Sequence, residues 1–137
     1  MKFAALAFAM VGGIAIGSLF LVALIPGFLC ENTLVEDVLS PDKKMKAVVF
    51  QRECTSSRDY TTQVSINPAN AELPNGIGNV FIANTNNGAA PNSPLGGPSV
   101  KVRWRTETFL ELSHHPDAKV FLSETFIDDI TVEYEKN

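Results

Sequence analysis

Val100-Lys101-Val102-Arg103-Trp104-Arg105 decides the fold class, because its side chains alternate strictly between apolar and basic. Successive residues of a strand point to opposite faces, so Val100, Val102 and Trp104 would line a core while Lys101, Arg103 and Arg105 meet water. The same period recurs outward in both directions. Downstream it predicts strands over Thr108 to Ser113, Lys119 to Ser123 and Ile127 to Tyr134, the last with Ile130, Val132 and Tyr134 as its inner row. Upstream, Tyr60, Thr62, Val64 and Ile66 alternate with Thr61, Gln63 and Ser65, and Asn79 to Ala83 is a short strand. Thr33 to Leu39 and Met45 to Glu53 flank Ser40-Pro41-Asp42-Lys43-Lys44, where Pro and Asp set up a tight turn, so these two form a hairpin. Short strands punctuated by turns predict an all-β domain, an antiparallel sheet folded over itself as a sandwich or partly open barrel.

One stretch breaks the rhythm. From Asn84 to Ser99 the chain reads N-T-N-N-G-A-A-P-N-S-P-L-G-G-P-S, with almost nothing to bury. Asn, Gly and Pro in this proportion favour mobile backbone, which predicts a flexible loop; the competing reading is a binding loop presenting Asn84, Asn86, Asn87 and Gly88.

The amino terminus is of a different kind. Phe3 to Leu29 contains no charged residue and no Asn, Gln or His, and it exceeds the roughly 20 residues needed to cross a bilayer as a helix. A cleaved signal peptide has a shorter apolar region ending in an A-x-A-like site, and neither feature is present. The expected organisation is therefore a transmembrane anchor over residues 1–29 and an extracytoplasmic β-rich domain over 30–137. Ala5, Ala9, Gly13 and Gly17 recur every four residues along one ridge of such a helix, a spacing that lets two helix backbones approach closely; composition alone would also produce it.

Cys30 and Cys54 both follow the apolar stretch, and an even count in an exported segment reads as one disulfide. It would close a loop of about 25 residues, worth roughly 3 to 4 kcal/mol on the chain-entropy model. The alternatives are two buried thiols, or lipidation of Cys30, which Phe28 and Leu29 disfavour because a lipoprotein signal wants small residues there. An oxidising compartment for residues 30–137 puts the amino terminus in the cytoplasm and the protein in the inner membrane as a single-pass chain. Lys2 against Glu31, Glu36 and Asp37 agrees with that orientation, while Lys43, Lys44 and Lys46 blunt it.

The whole chain carries a formal charge of −4, and without Lys2 the exported part is more negative still. This argues against nucleic acid as a partner and against an anionic headgroup layer as the main target, since both demand a basic surface.

Chemistry-bearing constellations are sparse. His114-His115-Pro116-Asp117 is the one place where metal-ligating types crowd together, with Asp128 or Asp129 as a further oxygen. Adjacent side chains on a strand point apart, so two neighbouring histidines share an ion only where the backbone turns, and a polar hairpin loop uses the same residues. There is no G-x-S-x-G elbow, and nucleophilic catalysis needs a base beside an activated Ser, Thr or Cys. Glu133 and Glu135, or Asp128 and Asp129, are acidic pairs of the kind found on any solvated strand edge rather than a glycosidase pair. The Lys101, Arg103 and Arg105 row reads as a solvated face paired across strands with Glu107, Glu111, Glu133 or Glu135, or else as a site for an anion.

The order of motifs resembles a family of small uncharacterised bacterial envelope proteins: an apolar N-terminus ending in Cys30, S-P-D-x-K at Ser40 to Lys44, and A-V-V-F-x-R-x-C at Ala47 to Cys54. These are followed by T-x-V-S-I at Thr62 to Ile66, N-V-F-x-A at Asn79 to Ala83 and V-x-V-x-W at Val100 to Trp104. That family carries no assigned activity, so the resemblance implies the topology and the Cys30–Cys54 pairing and transfers no catalytic residue. Its usual glycine after S-P-D is Lys43 here.

These readings point to a non-enzymatic module, without a cofactor, that meets another envelope or membrane protein, or a second copy of itself, through the domain, the anchor or both. Two alternatives are an immunity or inhibitor protein against an envelope-acting toxin or hydrolase, and a metal-dependent hydrolase using His114, His115 and Asp117.

Overall fold

The period-2 rows become strands in the computed structural model, which describes residues 29–137 except Ser56. The transmembrane helix expected over 1–29 and its Ala5, Ala9, Gly13 and Gly17 ridge lie outside those residues, of which only Leu29 is described. Among the described residues there are nine strands and no helix: β1 (Cys30–Leu39), β2 (Met45–Cys54), β3 (Ser57–Pro68), β4 (Phe81–Asn84), β5 (Val100–Thr106), β6 (Phe109–His114), β7 (Lys119–Ser123), β8 (Phe126–Ile127) and β9 (Ile130–Lys136).

They form two sheets, ordered β1-β2-β3-β4-β7 and β5-β6-β9-β8. One apolar core joins them: Ala47, Val49, Val64, Ile66, Phe81 and Ala83 from the first sheet, Val100, Leu110, Leu112, Ile130 and Val132 from the second. Each contributes every second residue of its strand, as the alternation demands. Full burial of a side chain of Val, Leu or Phe size stabilises by roughly 1.5 to 3 kcal/mol, so these rows supply most of the drive to fold.

The strand β2 is buried on both faces. Val48 and Phe50 belong to its outward row and not to the inter-sheet core, yet neither is exposed. The stretch 74–78 crosses the same face. It is fastened across that face where Gly78 N–H donates to Gln63 Oε1 at 2.7 Å and Arg52 donates to Asn75 Oδ1 at 3.1 Å and to the Gly76 carbonyl at 3.2 Å. Asn79 brackets Ile66, accepting from its N–H at 2.9 Å and donating to its carbonyl at 3.0 Å. Because that amide stands in for a strand partner, β4 begins at Phe81, two residues later than the pattern of Asn79 to Ala83 suggests.

Two further departures concern the second sheet. It is mixed rather than antiparallel throughout: β6 and β9 run parallel, with Leu110 opposite Val132 and Leu112 opposite Tyr134. The chain leaves β6, visits the other sheet as β7, and returns through β8, so β9 re-enters beside β6 pointing the same way. Secondly, the single strand expected over Ile127 to Tyr134 is a hairpin. Asp128 and Asp129 have φ of 50° and 63°, the left-handed pair that a two-residue turn needs to match strand twist.

The sheets are tied at their margins by two amphipathic rings. Trp104, half-buried against the core, donates its indole N–H to the Val38 carbonyl of β1 at 2.8 Å. The Tyr134 hydroxyl lies between the Val80 carbonyl at 3.2 Å and the Glu124 carbonyl at 2.5 Å.

Candidate binding surfaces

Cys30 and Cys54 close the disulfide expected of them, in register at the end of the β1–β2 ladder. The turn register alone, with Leu39 opposite Lys46, would set Cys30 against Thr55; the one-residue shift between Leu34 and Glu36 moves the ladder so that Cys30 meets Cys54.

The outward face of β5, β6 and β9 carries the densest ordered charge. Glu111, on β6, receives both neighbouring guanidinium groups, Arg103 at 3.0 Å and Arg105 in a shorter contact. Its carboxyl is thereby held below its ordinary range, first by the Arg105 hydrogen bond, and Arg105 is pushed up in turn by Glu111. The parallel pairing sets Glu133 beside Glu111 and Glu135 beside Ser113. The face therefore runs from a basic row on β5, through the clamped Glu111, to an acidic row on β9. A shallow cleft of about 450 Å³ lies on it, bordered by Lys101, Arg103, Arg105, Glu111 and Glu135. Of the acidic partners expected for the basic row, Glu111 makes the direct contacts, and Glu133 and Glu135 act on Arg105 through space.

The histidines diverge. His114 ends β6 facing inward, buried, its ring 5.2 Å from that of Phe81 and its Nδ1 paired with the His115 carbonyl at 2.9 Å. His115 lies outside, accepting from the Asp117 N–H at 3.1 Å with the Asp117 carboxylate 4.0 Å away. His115 and Asp117 are thus neighbours in a turn and His114 is not part of their group. Among the described residues no three His, Cys, Asp or Glu side chains converge on a point where an ion would sit.

Where the sequence between Asn84 and Ser99 offers almost nothing to bury, the structure buries Ala90, Gly97 and Pro98. Asn86, Asn87 and Gly88 take successive left-handed conformations, with φ of 55°, 55° and 87°. Asn84 Oδ1 accepts from Asn86 N–H at 2.8 Å, and Asn86 donates to the Asp117 carbonyl at 3.2 Å. These groups build a turn and dock it on the His115–Asp117 turn, which is the evident use of their polarity.

The rest of the loop hangs on Gln51. This buried amide donates to Thr62 Oγ1 at 3.0 Å and to Ser93 Oγ at 2.9 Å, and accepts from Gly97 N–H at 2.8 Å; Thr62 donates to the Pro98 carbonyl at 2.5 Å. Gly97 is obligatory, since a Cβ there would stand 2.6 Å from Thr62 Oγ1. The network was open to detection: Gln51 continues the inward row Ala47, Val49, and an amide on an apolar row must find buried partners.

No known protein family, curated protein or solved structure matches this chain.

Proposed function

We propose that residues 30–137 are a non-enzymatic recognition module, held on the outer side of the cytoplasmic membrane by residues 1–29, that binds another envelope protein through the outward face of β5, β6 and β9. The observation that carries this reading is the ordered charge array on that face: Arg103 and Arg105 fixed on Glu111, with basic and acidic rows either side. Such an array costs little further side-chain ordering on binding, and a partner with the reverse sequence of charges would be steered and registered by it. The array suits a protein surface better than a lone anion, because Glu111 already occupies both guanidinium groups.

The test is crosslinking capture from the native membrane with three forms: the wild type, a version whose residues 1–29 are replaced by an unrelated transmembrane helix, and Arg103→Glu/Arg105→Glu. A specific partner kept by the helix swap and lost by the charge reversal is the expected result. Capture that survives charge reversal, or that needs the native helix, would overturn the assignment of this face.

A further inference from the structure

We propose that the disulfide-bearing end of the domain rests on a zwitterionic bilayer surface, with Leu29, Tyr60 and Leu95 entering the headgroup region. This rests on the reading of residues 1–29 as a membrane anchor. The uncharged stretch Phe3 to Leu29 leads directly into Cys30, the first residue of β1, and the disulfide ties that point to Cys54 at the end of β2. The anchored chain therefore delivers the open end of the β1–β2 hairpin to the membrane.

Apolar side chains are gathered there in the open. Leu29 is 56% exposed. The β2–β3 register pairs Arg52 with Thr61, so Tyr60 sits at the same end, two strand spacings or about 10 Å from β1. The third member comes from the 84–99 segment. Ser93-Pro94-Leu95-Gly96 is a tight turn closed by Gly96 N–H to the Ser93 carbonyl at 2.9 Å, with Leu95, 45% exposed, at its tip. Turn tips ordinarily carry Gly, Asn, Asp or Ser, so an exposed leucine there is informative.

The turn is held at that end rather than merely passing it. Gln51 and Thr62 grip Ser93, Gly97 and Pro98 from within the fold. Gly96, at φ 107°, backs onto the Tyr60 ring so closely that a Cβ would lie 2.8 Å from it. Gly96 thus seats the turn that carries Leu95 against the exposed Tyr60 ring, and a tyrosine with an apolar body and a polar tip suits the water–lipid boundary. Charge selects the headgroup. Glu31 and Glu53 face each other across β1 and β2, both exposed, at the same end. Like charges directly opposed are unfavourable in water, and the ammonium groups of phosphatidylcholine would relieve them where anionic lipid would not.

The full-length chain in phosphatidylcholine nanodiscs, with and without bromine on the upper acyl chains, tests the proposal through tryptophan quenching. The single native tryptophan, Trp104, bonds to Val38, about 26 Å along β1 from Cys30, and serves as the distal reference. Leu95→Trp should add emission that bromolipid largely removes while Trp104 emission stays unchanged; Tyr60→Trp is the second probe if the first disturbs the turn. Added emission that bromolipid leaves intact, in chains that co-migrate with the discs, would overturn the bilayer contact alone and point to cover by residues 1–28 or a second copy. Failure of the chain to enter the discs would overturn the anchor reading and this proposal together.

Discussion

Lys43 holds a φ of 60°, a left-handed conformation in which a side chain bearing Cβ is strained by roughly 1 to 2 kcal/mol. Around it the S-P-D turn is fully bonded: the Ser40 hydroxyl donates to Asp42 Oδ1 at 2.7 Å, which also accepts from Lys44 N–H at 3.1 Å, and Lys43 N–H donates to the Ser40 carbonyl at 2.9 Å. Lys43→Gly should accordingly raise stability by about 0.5 to 1 kcal/mol, the relief of strain being partly offset by the greater freedom of glycine in the unfolded chain. A urea midpoint no higher than that of the wild type would show that the neighbouring bonds already absorb the strain. Gln51 predicts the opposite sign. Gln51→Leu strands the Gly97 N–H and the partners on Thr62 and Ser93 without replacing them, and buried polar groups left unpaired cost about 1 to 3 kcal/mol. A loss near the top of that range is expected in urea unfolding, together with faster amide exchange from Ser93 to Gly97. If only stability fell and exchange in the loop were unchanged, the loop would have other moorings.

Among the elements, the β1–β2 hairpin depends on its two ends for different reasons: the turn at Ser40 to Lys44 sets the register and the Cys30–Cys54 bond holds the open end. β1 is an edge strand, exposed along most of its length, with a register shift between Leu34 and Glu36 that interrupts its ladder. Such an edge frays unless it is tied. Replacing both cysteines by serine should lower stability by about 3 kcal/mol on the chain-entropy model and release the amides of Glu31 to Leu34 to exchange first. Loss of stability without that local release would locate the effect in the unfolded chain alone. This hairpin was legible in the sequence because turn chemistry, alternation and the cysteine pair all name the same two strands, while the one-residue shift between Leu34 and Glu36 that reconciles the turn register with the cysteine pairing was not. The direction of β9 was not, since a period of two names the face of each residue and is silent on strand direction. Nor was the break at Asp128-Asp129, where no glycine marks the turn; the signal that was there is the lapse of the period between Ile127 and Ile130, three residues apart. The candidate surface was legible in half: the row Lys101, Arg103, Arg105 announces a charged face, but the choice of Glu111 as the shared partner depends on which strand lies beside β5. The role of the 84–99 segment was hidden because its own side chains bury little; the groups that hold it, Gln51 and Thr62, lie on other strands.

For the whole molecule, the pH limits of stability follow from groups at three separate places. Asp42 is held below its ordinary value of 3.8, chiefly by the Ser40 hydroxyl, and Glu111 below 4.5, chiefly by Arg105. A carboxyl whose folded value is depressed contributes stability that is complete above its unfolded value and disappears as the pH falls through the folded one. Tyr134 behaves inversely: burial, reinforced by Glu124, raises its hydroxyl above the ordinary 10.0, so its contribution is complete below pH 10 and is lost only as the pH climbs beyond. The melting temperature should therefore form a plateau from about pH 5 to pH 10, with an acid limb owed to Asp42 and Glu111 and an alkaline limb owed to Tyr134. Asp42→Asn should flatten part of the acid limb and leave the alkaline one alone. Tyr134→Phe should do the reverse, lowering the plateau by about 1 kcal/mol for the lost hydrogen bond to the Val80 and Glu124 carbonyls while removing the decline above pH 10. An alkaline limb that persists in Tyr134→Phe would assign that decline to other groups and leave the Tyr134 bond as packing between the sheets without a part in titration.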